Sequence, residues 1–170
     1  AAMLAHLDDN VGKVFAKLRE SGTEENTLVF FVSDNGGPTK ELTSSNALLR
    51  GEKGELWEGG IRVPFIVSWK GHVPAGRVID APVVSIDVTA TALELAGVGA
   101  SQAKLDGISL MPVLTGKTAE MAERPLFWRV GEQNAVRSGD WKLIRLGKEW
   151  KLYDLAHDIS ESTNLATKEP

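Results

Sequence analysis

The sequence predicts an α/β fold, part of a mixed, mostly parallel sheet sandwiched by helices and followed by a small antiparallel sheet. Three observations lead there. A helical apolar stripe over residues 3–21 passes through a short turn into "TLVFFV" (27–32), a run too continuously apolar for a one-sided sheet. A second strand pattern and a second helix pattern follow. After about residue 118, strand patterns succeed one another with no helix between them. The expected division is therefore 1–117, carrying the α/β part, and 118–170, carrying the small sheet.

Leu4, Leu7, Val11, Val14, Phe15 and Leu18 recur at helical spacing among charged residues, and Gly22 suits the helix end. The strand 27–32 finishes on "SDNGG". Residues 36–60 form a polar, glycine-rich stretch, longer than an ordinary connection and of the kind usually tied to function. "RVPFIVSW" (62–69) reads as a strand that admits Pro64 only near its start. "SIDVTATALELAG" (85–97) reads as a helix with Asp87 at its N-cap and Gly97 closing it. "LDGISLMPVLTG" reads as a turn with one short helical piece. "RPLFWRV", "NAVRSGDWKLIRL" and "EWKLYDL" are strands, with Gly147 and Lys148 as a two-residue hairpin turn. Trp128, Trp141 and Trp150 are expected in the core of that sheet rather than on a sugar-stacking platform.

Composition narrows the classes of function. A net charge of −4 without a clustered basic run argues against a nucleic-acid partner. No apolar stretch approaches the roughly 18 residues of a membrane span. The chain has no cysteine, which removes disulfides, thiolate nucleophiles and sulfur-ligated metals from these residues.

The chemistry concentrates in two places. Asp34 and Asn35 put hard oxygen atoms at a strand end, where open α/β sheets gather their ligands. The same dipeptide also fits an Asx-type turn, and two ligands alone are too few for Ca²⁺. Lys53 stands between glycines in "RGEKGELWEGG", where its ammonium can meet one oxygen of an anion or simply remain solvated. Glu58 and Arg62 are expected as an ion pair fixing that loop. His6, His72 and His157 build no defensible catalytic triad with Ser and Asp.

Taken in order, "HLDDNVGKVFAKLRESGTEENTLVFFVSDNGG", "LLRGEKGELWEGGIRVPFIV", "SIDVTATALELAG", "RSGDWKLI" and "LYDLAHDISESTNLA" resemble the later part of the sulfatase family, in the alkaline phosphatase superfamily. The likeness covers almost the whole chain and looks closest to arylsulfatases and sulfatases of sulfated hexosamines. It implies hydrolysis of sulfate monoesters, of a sulfated sugar or an aryl sulfate. Asp34 and Asn35 become two ligands of one divalent cation, Ca²⁺ ahead of Mg²⁺. Lys53 becomes the contact to the substrate's sulfate group. The nucleophile is then a formylglycine hydrate, made from a Cys or Ser in a Cys/Ser-x-Pro-x-Arg motif that this chain lacks. The expectation is the C-terminal portion of a longer enzyme, cut before its last helix and inactive alone, whose partners are the missing N-terminal half and a sulfate ester. The family likeness favours the periplasm or the exterior. A phosphatase or phosphonate hydrolase of the superfamily is the rival enzyme, although those tend to carry Asp-His where this chain has Asp-Asn. A non-catalytic glycan-binding or structural module is the rival of a different class.

Overall fold

A computed structural model describes residues 2–40, 44–98 and 104–168. Expectations for the glycine-rich stretch at 41–43 and for the last two residues lie outside them. The chain forms two compact units, interleaved in sequence. One holds residues 1–31 and 66–120, the other residues 32–65 and 121–170.

In the first unit, α1 (Ala2–Glu20) realises the predicted helical stripe, ending where Gly22 takes a φ of +70°. A single 3-10 turn at Glu24–Asn26 leads into β1 (Val29–Val32), whose hydrogen-bonded neighbour is β2 (Phe65–Ser68). Within this chain β1 is not covered on both faces: Phe31 and Val32 are 40% and 37% exposed. The continuous apolar run therefore marks a strand with more surface to bury than these residues supply.

α3 (Ile86–Leu95) starts two residues earlier than the Asp87 cap implies. Ser85 occupies the cap position and makes no side-chain cap bond, while Asp87 sits fully buried in the first turn. Its carboxylate reaches back to Val84 N (3.0 Å) and across to Ile108 N (2.9 Å). Thr91 continues the staple, donating to Asp87 O and accepting from Leu110 N. Asp87 is thus a strap between α3 and residues 108–110, a role invisible to local helix rules. Those residues lead into the short helix α4 (Met111–Leu114).

The second unit contains α2 (Glu58–Ile61) and the four-stranded sheet β3 (Leu126–Val130), β4 (Gln133–Ser138), β5 (Trp141–Leu146) and β6 (Glu149–Asp154), antiparallel and in chain order. Each hairpin turn is a Gly-X pair. Gly131, Gly139 and Gly147 all take positive φ (57°, 55° and 61°), as a first central residue with φ above zero requires. The pleat then sorts side chains by parity. Ala135, Ile144 and Tyr153 pack in one core with Leu56, Trp57 and Leu155, and Leu126 on the same face is buried as well. Only Trp128 of the three tryptophans packs on this core. Trp141 and Trp150 fall on the other parity and stay 46% and 53% exposed, with Phe127 at 73%. The expectation that all three are core is corrected by this alternation.

Candidate functional site

The site is built on backbone crowding. Gly36, just past the strand tip, donates its N–H to Gly60 O (3.0 Å), and a Cβ on it would stand 1.7 Å from Gly59 O. A Cβ on Gly60 would stand 2.1 Å from Glu55 O and 2.5 Å from Glu52 O. A Cβ on Gly59 would meet Arg50 O and Gly51 O at 2.5 Å. Three stretches of main chain are stacked at glycine-only separations: the tip that follows Asp34 and Asn35, the start of α2, and the segment 50–55. Asn46 adds a side-chain bridge, accepting from Gly37 N and donating to Gly37 O and Gly51 O.

Lys53 lies at the crown of this assembly. Glu55 N bonds to Glu52 O (2.9 Å), closing a four-residue turn with Lys53 and Gly54 at its centre. Gly54 takes a φ of +86°, the positive value that the third residue of a type II turn requires. Lys53 is exposed and its ammonium pairs with no carboxylate among the described residues. The neighbouring acid is held down: Lys40 hydrogen-bonds Glu52 and keeps its carboxyl at about 2, helped by Lys40 N and Thr39 Oγ1.

Asp34 is exposed, and its carboxylate makes no hydrogen bond or ion pair among the described residues. The Asx-turn alternative would need that carboxylate to bond nearby backbone, and it does not. Asn35 donates from Nδ2 to Gly36 O (2.9 Å), and Ser33 Oγ donates to Asn35 O. The structure therefore brings the tip and the lysine turn onto one glycine-stacked scaffold within a single unit.

Beneath the turn lies an ionic cluster. Glu58, the first residue of α2, is 2% exposed, and Lys142 and Glu161 are fully buried. Lys142 Nζ lies 2.9 Å from Glu58 Oε1 and 2.8 Å from Glu161 Oε1, the second as an ion pair without hydrogen-bond geometry. Glu161 Oε2 accepts from Glu58 N (2.7 Å), and Arg137 Nη1 stands 3.5 Å from Glu58 Oε2. The expected Glu58–Arg62 pair is present but long, at 3.8 Å. Burial raises the Glu161 carboxyl above its ordinary range, with Lys142 working against that rise. Glu161 also has a φ of +52°, a left-handed conformation that costs about 1–2 kcal/mol for a residue with a Cβ. Asp158 shapes its turn. Burial opposes the ionisation of Asp158, but Thr163 N and Ser162 N, with the Ser162 and Ser160 hydroxyls, hold its carboxyl at about 2.

The histidines stand elsewhere. His157 pairs with Asp154 (2.7 Å), His72 stacks on Trp69, and His6 is exposed on α1. The residues that sequence reasoning missed are Lys142, Glu161 and Arg137. A signal existed for one of them: Lys142 falls on the inward parity of β5, and an inward lysine demands a buried carboxylate.

Two family models match the chain, "Sulfatase" over residues 1–98 and "N-sulphoglucosamine sulphohydrolase, C-terminal" over residues 52–170. Human arylsulfatase D is 36% identical over 86% of the chain, which covers 26% of that protein. N-acetylgalactosamine-6-sulfatase of Rattus norvegicus is 37% identical over 94% of the chain, covering 32% of that protein. The chain thus spans about a quarter to a third of the length of these relatives. Among solved structures, a sulfatase from Pseudoalteromonas sp. superposes over 94% of the chain and 36% of its own, with a TM-score of 0.81 and 29% identity. A phosphonate monoester hydrolase from Silicibacter pomeroyi superposes over 95% of the chain and 35% of its own, with a TM-score of 0.71 and 22% identity, a likeness of fold.

Proposed function

Because the chain belongs to the sulfatase family, we propose that the Asp34–Asn35 tip and the Lys53 turn act together on a sulfate monoester, as part of a hydrolase of such esters. The ester is an aryl sulfate or a sulfated sugar, in keeping with the chain's likeness to an arylsulfatase and an N-acetylgalactosamine-6-sulfatase. The observation that carries this reading is the glycine stack, which holds two oxygen donors and one unpaired ammonium on adjoining backbone.

The donor set fits part of a hard-cation shell. Asp34 offers an unbonded carboxylate, and Asn35 spends its amide N–H on Gly36 O, which leaves the carbonyl oxygen as its ligating atom. Two residues fill only part of the six to eight positions around Ca²⁺, and no group of three or more His, Cys, Asp or Glu gathers among the described residues. The remaining ligands and the formylglycine nucleophile are assigned to residues outside this chain. A bound divalent cation supplies charge opposite the non-bridging oxygens of the ester. Lys53 places a second positive charge, one with no carboxylate partner among the described residues, on one of those oxygens, and the low, ionised Glu52 stays engaged with Lys40 rather than competing for it.

The test is hydrolysis of an aromatic sulfate in Ca²⁺ by the polypeptide that carries these residues. Asp34→Ala and Lys53→Ala should each lower kcat/KM by about 100-fold. The 170-residue chain alone should show no turnover. Full activity of Asp34→Ala would return the site to a structural or glycan-binding role. Faster hydrolysis of a phosphonate monoester than of the sulfate would favour the rival enzyme.

A further inference from the structure

We infer that Glu161 and Arg50 are positioning residues, forming a clasp on both feet of the segment that displays Lys53. Glu161 reaches the segment twice. Its carboxylate accepts from Glu58 N at one foot (2.7 Å), and its backbone carbonyl accepts from Arg50 Nη1 at the other (2.8 Å). The feet also meet each other, since Gly59 N bonds to Arg50 O (2.6 Å). A ring also holds Arg50: its guanidinium lies 3.8 Å from the centre of the Trp57 ring, and Trp57 in turn packs edge-on against Tyr153 of β6. Lys142, itself fixed inside the sheet, bridges both carboxylates, and Arg137 stands beside Glu58 as a second cation.

The chain separations make this more than local packing. Glu161 stands 111 residues from Arg50 and 103 from Glu58. Apart from the clasp and an exposed bond from Gln133 to Gly54 O, the segment's side-chain ties run to sequence neighbours, from Asn46 to Gly51 O and from Thr39 and Lys40 to Glu52, and none of these reaches the sheet. The clasp instead fixes it to the rigid four-stranded sheet, and the ammonium inherits that position. Glu161 adopts a left-handed backbone to present its carboxylate and its carbonyl to the two feet at once. No part of the clasp touches a substrate. Its effect on catalysis passes through Lys53, so the catalytic half of the inference rests on the reading above.

Two measurements on the polypeptide carrying these residues separate the two claims. The first is amide hydrogen exchange over Glu52–Glu55 in Glu161→Ala and in Arg50→Met, the latter a milder change that leaves the buried carboxylates paired. Both should speed exchange of the Glu55 amide by about tenfold while the amides of β4 and β5 stay protected. Unchanged exchange in a folded variant overturns the clasp. The second is a double-mutant cycle with Lys53→Ala, using an aromatic sulfate. Each clasp variant alone should lower kcat/KM by roughly 10- to 100-fold. In the Lys53→Ala background each should change it by no more than about twofold. Additive losses assign the residues a merely structural role and overturn the positioning claim. If Lys53→Ala itself is fully active, the sulfate reading fails, and hydrogen exchange still decides the clasp.

Discussion

The second unit contains two groups of charged residues that obey opposite rules. At the crown, Asp34 and Lys53 are exposed and make no pair among the described residues. Beneath it, Glu58, Lys142 and Glu161 are buried and tightly paired. A buried charge without a partner is costly, so the lower group can exist only as a set. An exposed charge that ignores nearby counter-charges, on backbone stacked so closely that only glycine fits, is available to something else. Charge alone does not mark a site; the partnering does.

The comparison breaks most sharply at Lys142. Lys142→Ala leaves two carboxylates buried against each other and should cost about 3–5 kcal/mol, read as a large drop in urea midpoint. Gly36→Ala drives a methyl into Gly59 O and should cost about 1–3 kcal/mol. At the crown the effect reverses. Lys53→Ala should change stability by less than about 0.5 kcal/mol, because nothing in the chain leans on that ammonium.

Acid should expose a further difference. The Glu52 carboxyl is held down to about 2, below the ordinary glutamate value near 4.5, so its stabilising contribution is complete above about pH 4.5 and disappears as pH falls toward 2. Glu161 is shifted the other way. Its folded form takes up a proton before the unfolded chain does, so its ionisation weakens the fold as pH rises from 4.5 through the raised value. Glu52→Gln should therefore flatten the unfolding midpoint between pH 4.5 and 2, and Glu161→Gln should flatten it above 4.5. The smallest effect belongs to Phe127→Ser on the open face of the sheet, within about 0.5 kcal/mol.

Much of this was legible beforehand, and the parts that were not share a cause. α1, the strands and the Gly147–Lys148 hairpin follow from periodicity and turn chemistry, which are local. Asp34, Asn35 and Lys53 stood out because glycines flank them. What local rules could not reach was contact across the chain: Glu58 lies 84 residues from Lys142 and 103 from Glu161. Arg62 was the nearest cation in sequence to Glu58, yet the pleat carried Lys142 inward and made it the closer partner. The same parity explains the tryptophans. Bulk put Trp141 and Trp150 in the expected core, and alternation put them outside it. Asp87 shows the limit for helix ends, where a cap residue by composition turned out to be a strap to residue 108.

The measurement that tests the central claim most directly is a calorimetric titration of Ca²⁺ into the polypeptide carrying these residues, wild type against Asp34→Ala, with thermal unfolding recorded alongside. Binding should weaken by at least about tenfold in the variant while the metal-free melting temperature stays unchanged. Equal Ca²⁺ affinity in both proteins would contradict the account.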